Sequence, residues 1–239
     1  MSYRVLNSWK VEKLLFPRLN SRRLPHTNVN LLSHHIPKTA GSSLRTAFEQ
    51  QVGKRAVYGV YENTGAQAMS TGESIWVPSG AKILHGHYKP HQNHSVIFPH
   101  AMRAVWVRDP LERVWSLVGH LLALGEKHPH FKLLKSSMPR VNFNSQKNVV
   151  RELILQNAVD AFTHAYAHFF RSVPINHFSF VGSKHKYDEG LTQLADLLDI
   201  QLEPLQINRR SNQSDKLPTS IKRLEMHLSQ EYEIVSDYL

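Results

Sequence analysis

Along the 239-residue chain, short apolar runs alternate with stretches whose apolar residues recur at helical spacing. Residues 28–32 with Ile36, then 82–88, 101–107 and 178–182, read as strands: each is brief, β-prone and bounded by turn residues. Residues 54–79 predict a further strand, then an irregular excursion rich in Gly, Asn, Thr and Ser. A helix is predicted over 44–51, opened by Ser42 or Ser43. Another starts at Pro110, with Asp109 as N-cap and Glu112 as the return partner of a capping box.

The second half is mostly helical in pattern. Val149, Leu153, Leu155, Ala158, Phe162, Ala165 and Phe169 predict one long helix, or two abutting ones, over 148–170. Leu191, Leu194, Leu197 and Leu198 predict a helix over 188–198, and Ile221, Leu224, Leu228, Tyr232 and Ile234 a terminal one over 219–239. The polar residues 128–145 predict a loop over the site. Its Lys132, Lys135 and Arg140 are candidates to contact an acidic acceptor, or simply a solvated face. Strands alternating with helices imply an α/β domain with a largely parallel central sheet flanked by helices. No linker interrupts the pattern, so one domain is expected over 1–239, with 1–27 as an N-terminal extension.

The chemistry concentrates in Ser33-His34-His35-Ile36-Pro37-Lys38-Thr39-Ala40-Gly41-Ser42-Ser43-Leu44, which runs from a strand through a small-residue turn into a helix. Unpaired N–H groups and the positive dipole end of such a helix favour phosphate oxygens. Gly41 would let the backbone approach an anion, Lys38 adds a mobile charge, and Thr39, Ser42 and Ser43 add hydroxyl donors. In nucleotide triphosphatases the lysine follows the glycine and precedes a magnesium-binding hydroxyl. Here the lysine precedes the glycine.

Pro37-Lys38-Thr39-Ala40-Gly41-Ser42-Ser43-Leu44 resembles the 5′-phosphosulfate loop of carbohydrate sulfotransferases that use 3′-phosphoadenosine 5′-phosphosulfate (PAPS), releasing the bisphosphate PAP. Arg108-Asp109-Pro110-Leu111-Glu112-Arg113-Val114-Trp115-Ser116 matches that family's pattern Arg-Asp-Pro-x-x-Arg-x-x-Ser, which implies that Arg108 and Ser116 hold the 3′-phosphate. His85-Gly86-His87 is similar to the catalytic histidine segment of uronosyl 2-O-sulfotransferases, including those acting on heparan sulfate. The resemblance implies a P-loop-like sulfotransferase fold, a carbohydrate O-sulfotransferase activity and a histidine base. His87 is the first candidate, with His85 as alternative or partner. Residues two apart on a strand share a side, so both imidazoles are expected to face one cleft, and neutral imidazole suits proton removal from a sugar hydroxyl.

By position in the family, Lys38, Thr39, Ala40, Gly41, Ser42, Ser43, Arg108 and Ser116 are the cofactor candidates. Arg209, Arg210 and Lys216 join them on a late basic loop, 205–218, expected to cover the nucleotide or to serve as an exposed linker. His85, His87, His91 and His94 as a metal site is the competing reading, but no carboxylate or cysteine accompanies them at ligand spacing. No metal is expected.

Composition narrows the setting. Twenty-nine Lys and Arg against nineteen Asp and Glu give a net charge of +10, a field that attracts polyanions such as the cofactor, an acidic glycan or nucleic acid. A glycan or glycoconjugate acceptor is the expected partner, and nucleic acid is not. Sixteen histidines would raise polyanion affinity on acidification. With no cysteine there are no disulfides. The apolar residues of 1–20 are broken by charges, which excludes a segment of signal or membrane length. The expectation is a cytoplasmic, bacterial enzyme, or a catalytic domain lacking the Golgi anchor of eukaryotic relatives. Two readings compete: a P-loop nucleotide kinase, and a non-catalytic polyanion-binding protein.

Overall fold

The computed structural model describes residues 8–15, 24–203 and 217–239. Strands β1 (Leu31–His34), β2 (Val57–Val60), β3 (Ile83–Gly86), β4 (Met102–Val107) and β5 (Phe180–Ser183) form one sheet. All pairings are parallel and the order is β2-β3-β1-β4-β5. Every residue of β1, β2 and β3 is buried, as a parallel sheet covered on both faces requires. The helices are α1 (Ser8–Leu15), α2 (Gly41–Gln51), α3 (Ala66–Ser70), α4 (His94–Ile97), α5 (Pro110–Leu124), α6 (Pro129–Ser137), α7 (Gln146–Leu155), α8 (Asp160–Thr163), α9 (Ala165–Phe169), α10 (Tyr187–Leu198), α11 (Thr219–Lys222) and α12 (Ser229–Val235). The α/β architecture with a central parallel sheet is thus as expected.

Side-chain alternation divides the core. Leu31, Ile83, Ala104 and Trp106 pack with Leu44 and Phe48 of α2 and Leu191 and Leu194 of α10. Leu32, Tyr58, Val60 and Leu84 pack on Met69 and Tyr88 across the other face. A third body of helix is built on α5, whose Leu111, Val114, Val118 and Leu121 repeat at three- and four-residue intervals and meet Val149, Val150 and Leu153 of α7. Each such buried side chain contributes roughly 1.5–3 kcal/mol.

Several elements depart from the sequence expectation. Residues 128–145 are not a plain loop, because α6 occupies 129–137: His128 Nδ1 accepts from the His130 amide, Pro129 sits at the first helical position, and Phe131 and Leu134 are buried. The predicted helix over 148–170 is three pieces. Asn157 adopts a left-handed φ of 45°, which ends the first. The terminal helix is likewise divided into α11, α12 and 3₁₀ turns. There Glu231 is wholly buried, accepting from the Tyr166 and Ala167 amides at 2.9 and 2.8 Å at the start of α9. A long solvated helix would not bring that carboxylate to those amides.

The topology sets the site. After β1 the chain crosses to β2 on one side of the sheet, whereas after β3 it crosses to β4 on the other. Loops leaving β1 and β4 therefore diverge at neighbouring carboxyl ends, the crevice where open α/β sheets bind ligands. Among the described residues, no helix is long and apolar enough to cross a membrane.

Candidate active site

Helix α2 starts at Gly41, not at Ser42 or Ser43, and its N-cap Ala40 makes no side-chain hydrogen bond. The first turn carries no acidic residue, so nothing in it neutralises the positive end of the dipole. Two non-glycine residues of the preceding loop are left-handed: Lys38 at φ 74° and Ala40 at φ 78°, with Thr39 between them at ordinary φ. Each such residue costs on the order of 1–3 kcal/mol, and alternating handedness of this kind curls successive N–H groups into an anion-binding concavity. The loop is held shut from inside. Thr39 is buried and its hydroxyl donates to the Ile36 carbonyl at 2.9 Å, so that donor is spent within the loop and is not offered to a ligand. Ala40 contributes backbone only. Ser42 is exposed and Ser43 partly so.

Gly41 meets a requirement beyond the anion approach that its sequence context suggests. A Cβ there would lie 2.0 Å from Cδ2 and 2.2 Å from Nε2 of His35. The close approach is to an imidazole of the chain itself. His35 stacks on His87 (centroids 4.3 Å apart, planes 24° apart) and on His85 (5.3 Å, 27°).

His85 and His87 do lie on the same side, both against His35, but their surroundings differ. His85 sits wholly inside, with Nδ1 2.9 Å from Ser33 Oγ, its partner across the parallel ladder. Its Nε2 is buried and lacks a hydrogen bond of ordinary geometry. Burial, reinforced by the Arg45 charge, lowers its pKa from 6.5 to about 3. His87 follows the last residue of β3 and is exposed. Its Nδ1 is 2.9 Å from the His35 carbonyl, which can only accept, so Nδ1 carries the proton and Nε2 presents its lone pair. Partial burial lowers its pKa below 6.5; the His35 carbonyl opposes this and neighbouring His130 of α6 adds to it. The result is an imidazole neutral at pH 7. Gly86 between them is required by the sheet, since a Cβ there would meet the Val60 carbonyl oxygen at 1.7 Å.

Arg108 leaves β4 almost fully buried. Its backbone is clamped by Tyr166, whose hydroxyl accepts from the Arg108 amide at 2.9 Å and donates to its carbonyl at 2.7 Å. Asp109 caps α5 by accepting from the Glu112 amide at 2.9 Å, but Glu112 does not complete a capping box. Its carboxylate takes Arg108 Nε at 3.0 Å, with His185 Nε2 3.3 Å away. This bond uses one donor of the five-donor guanidinium fork. Ser116 is half-buried and lies one turn beyond Glu112 on the same face of α5. Arg113, the second arginine of the motif, is buried; it donates to the Phe162 carbonyl and packs 5.6 Å from the Tyr166 ring centroid.

The metal reading fails on geometry. His94 lies across the sheet with His34 and Tyr88, where its Nε2 meets the Met69 carbonyl at 2.8 Å, while His85 and His87 lie with His35. Among the described residues no group of three or more potential ligands could hold a metal. Arg209, Arg210 and Lys216 lie outside the described residues. Lys132, Lys135 and Arg140 are exposed, and Lys135 pairs with Glu126 at 2.5 Å. Sequence reasoning did not single out Ser33, Tyr61 or His130. Tyr61 stands edge-on to His87, centroids 5.3 Å apart, and Arg45 lies over its ring at 5.5 Å.

Comparison of the chain with models of protein families, and with curated proteins, finds no match in either.

Proposed function

We propose that the protein is a PAPS-dependent carbohydrate O-sulfotransferase of the uronosyl 2-O type. The observation that carries the reading is the union of two devices: a left-handed loop before an uncapped helix, suited to a phosphate, and an exposed histidine locked through Nδ1 to that loop's first residue.

The residues present fit the cofactor. The N–H groups of 41 and 42 and the Lys38 ammonium suit a 5′-phosphate, whereas the Ser43 amide already donates to the Ala40 carbonyl at 3.1 Å; the strained φ angles at Lys38 and Ala40 support use of that loop shape. The Arg108 fork, oriented by Glu112, and the Ser116 hydroxyl suit a 3′-phosphate. PAPS, when bound, would supply an activated sulfuryl group. His87 Nε2 accepts the proton of an acceptor hydroxyl, the Nδ1 bond to His35 keeping that lone pair available. Lys38 and the helix N-terminus counter charge that grows on the leaving phosphate oxygen. His85, enclosed and hydrogen-bonded to Ser33, supports the stack from beneath and has no path to an acceptor.

Calorimetry with PAP, AMP and ATP tests the assignment. PAP binding at least tenfold tighter than AMP is expected, since one charge-assisted contact contributes roughly 1.5–3 kcal/mol. Magnesium-dependent ATP binding with indifference to PAP would replace this reading by a kinase. A protein that binds acidic glycans but neither nucleotide would be a non-catalytic binder.

A further inference from the structure

We propose that His35 is a positioning residue, a wedge through which the phosphate loop holds His87 in register; the catalytic part of this rests on the function proposed above. His35 is tied to both partners. Its ring fills the space where a Cβ on Gly41 would be, and so bears on the first residue of α2. The other contact is the 4.3 Å stack on His87, whose Nδ1 bonds the His35 carbonyl. Its own amide donates to the Gly86 carbonyl at 2.8 Å, fixing it to the end of β3, and the His85 ring stacks on it at 5.3 Å.

The His35 Nδ1 is buried without a hydrogen-bond partner, so that edge of the ring is held by packing. A costly orphaned nitrogen persists where the ring's shape is the useful property. Displacing Gly41 pushes the ring, and the ring leads to His87 by stack and carbonyl. The groups facing His87 are His35 from the β1 loop, Tyr61 after β2, His130 from α6 and His85 beneath. Of these, His35 is the one whose ring occupies the space beside Gly41, while the enclosed His85 also reaches the Gly41 backbone.

The test is ¹⁵N–¹³C NMR of the His87 ring in the ligand-free protein, which reads the tautomer without reference to activity. In the wild type, a single Nδ1–H tautomer is expected. Gly41→Ala, whose new methyl meets the His35 ring first, should shift the His87 ring signals and mix the tautomers. His35→Ala keeps the carbonyl but removes the stack that holds the His87 ring over it, and should likewise shift the ring signals and mix the tautomers. A Gly41 that serves only anion approach would leave that spectrum unchanged, and unchanged His87 signals in folded variants would overturn the proposal. Should Gly41→Ala not fold, His35→Ala, which removes atoms and forces none together, decides alone. Turnover in His35→Ala should fall roughly 10²-fold, the loss that a small misplacement brings. If PAP fails to bind the wild type, the sulfotransferase reading falls while the ring spectra still decide the coupling.

Discussion

Glu112 Oε2 binds Arg108 Nε at 3.0 Å, and in doing so abandons the backbone of its own helix cap. The carboxylate thereby holds a buried guanidinium near the carboxyl end of β4. If that edge receives a 3′-phosphate, Arg108→Ala should remove most of the preference for PAP over AMP, and Glu112→Gln should reduce it by a smaller factor. Titration calorimetry of both variants checks this. Equal affinity of the wild type for PAP and AMP would sink it.

Lys38 is assigned to charge that develops as the leaving group departs. Lys38→Ala should therefore lower turnover more than it weakens PAP binding. Matched losses would make the lysine a binding residue, and undiminished turnover would take it out of the site.

His87→Ala should lower turnover by roughly 10²–10⁴-fold with PAP affinity within a few-fold of wild type. Because burial lowers the His87 pKa, the wild-type activity should fall on the acidic side with a midpoint below 6.5, and that limb should be missing from the residual activity of the variant. Radiolabelled PAPS with a panel of acidic glycans provides the assay. Activity surviving the combined loss of His85 and His87, on a verified acceptor, would refute histidine catalysis.

Gly86→Ala should destabilise the fold by about 3 kcal/mol or more, because the added methyl meets backbone at Val60 and no side chain can yield. Urea unfolding measures it. A loss below about 1 kcal/mol would mean that β2 and β3 separate more easily than their register implies.

His34 and His85 are held neutral by burial, each with a pKa near 3 against 6.5 when unfolded. The unfolded chain therefore binds the extra protons, and this contribution to stability, complete above about pH 6.5, is lost progressively as pH falls toward 3. Between pH 6 and 4 these two should together add roughly 2–3 kcal/mol per pH unit to the slope, about 1.4 for each, and His35 and His94, whose pKa values burial also lowers, act in the same direction. Stability that stays flat from pH 6.5 to 5 would show that these rings are not enclosed.

Local structure was legible in the sequence wherever it depends on neighbours along the chain. The strand before Lys38, the Asp109–Pro110 start of α5 and the parallel α/β class all follow from short-range pattern, since apolar period, caps and proline act within a turn or a strand. Tertiary structure decided what depends on register and burial. Ser33 meets His85 only because β1 and β3 pair in parallel at that register, and the same pairing leaves one histidine enclosed and the other at the exposed edge. Gly41 and Gly86 looked alike as small residues, yet one makes room for the ring of His35 and the other for the carbonyl of Val60. Glu112 likewise chose Arg108 over its own cap because the strand exit brings a buried charge within reach, and a buried guanidinium needs a carboxylate more than a solvated helix end does.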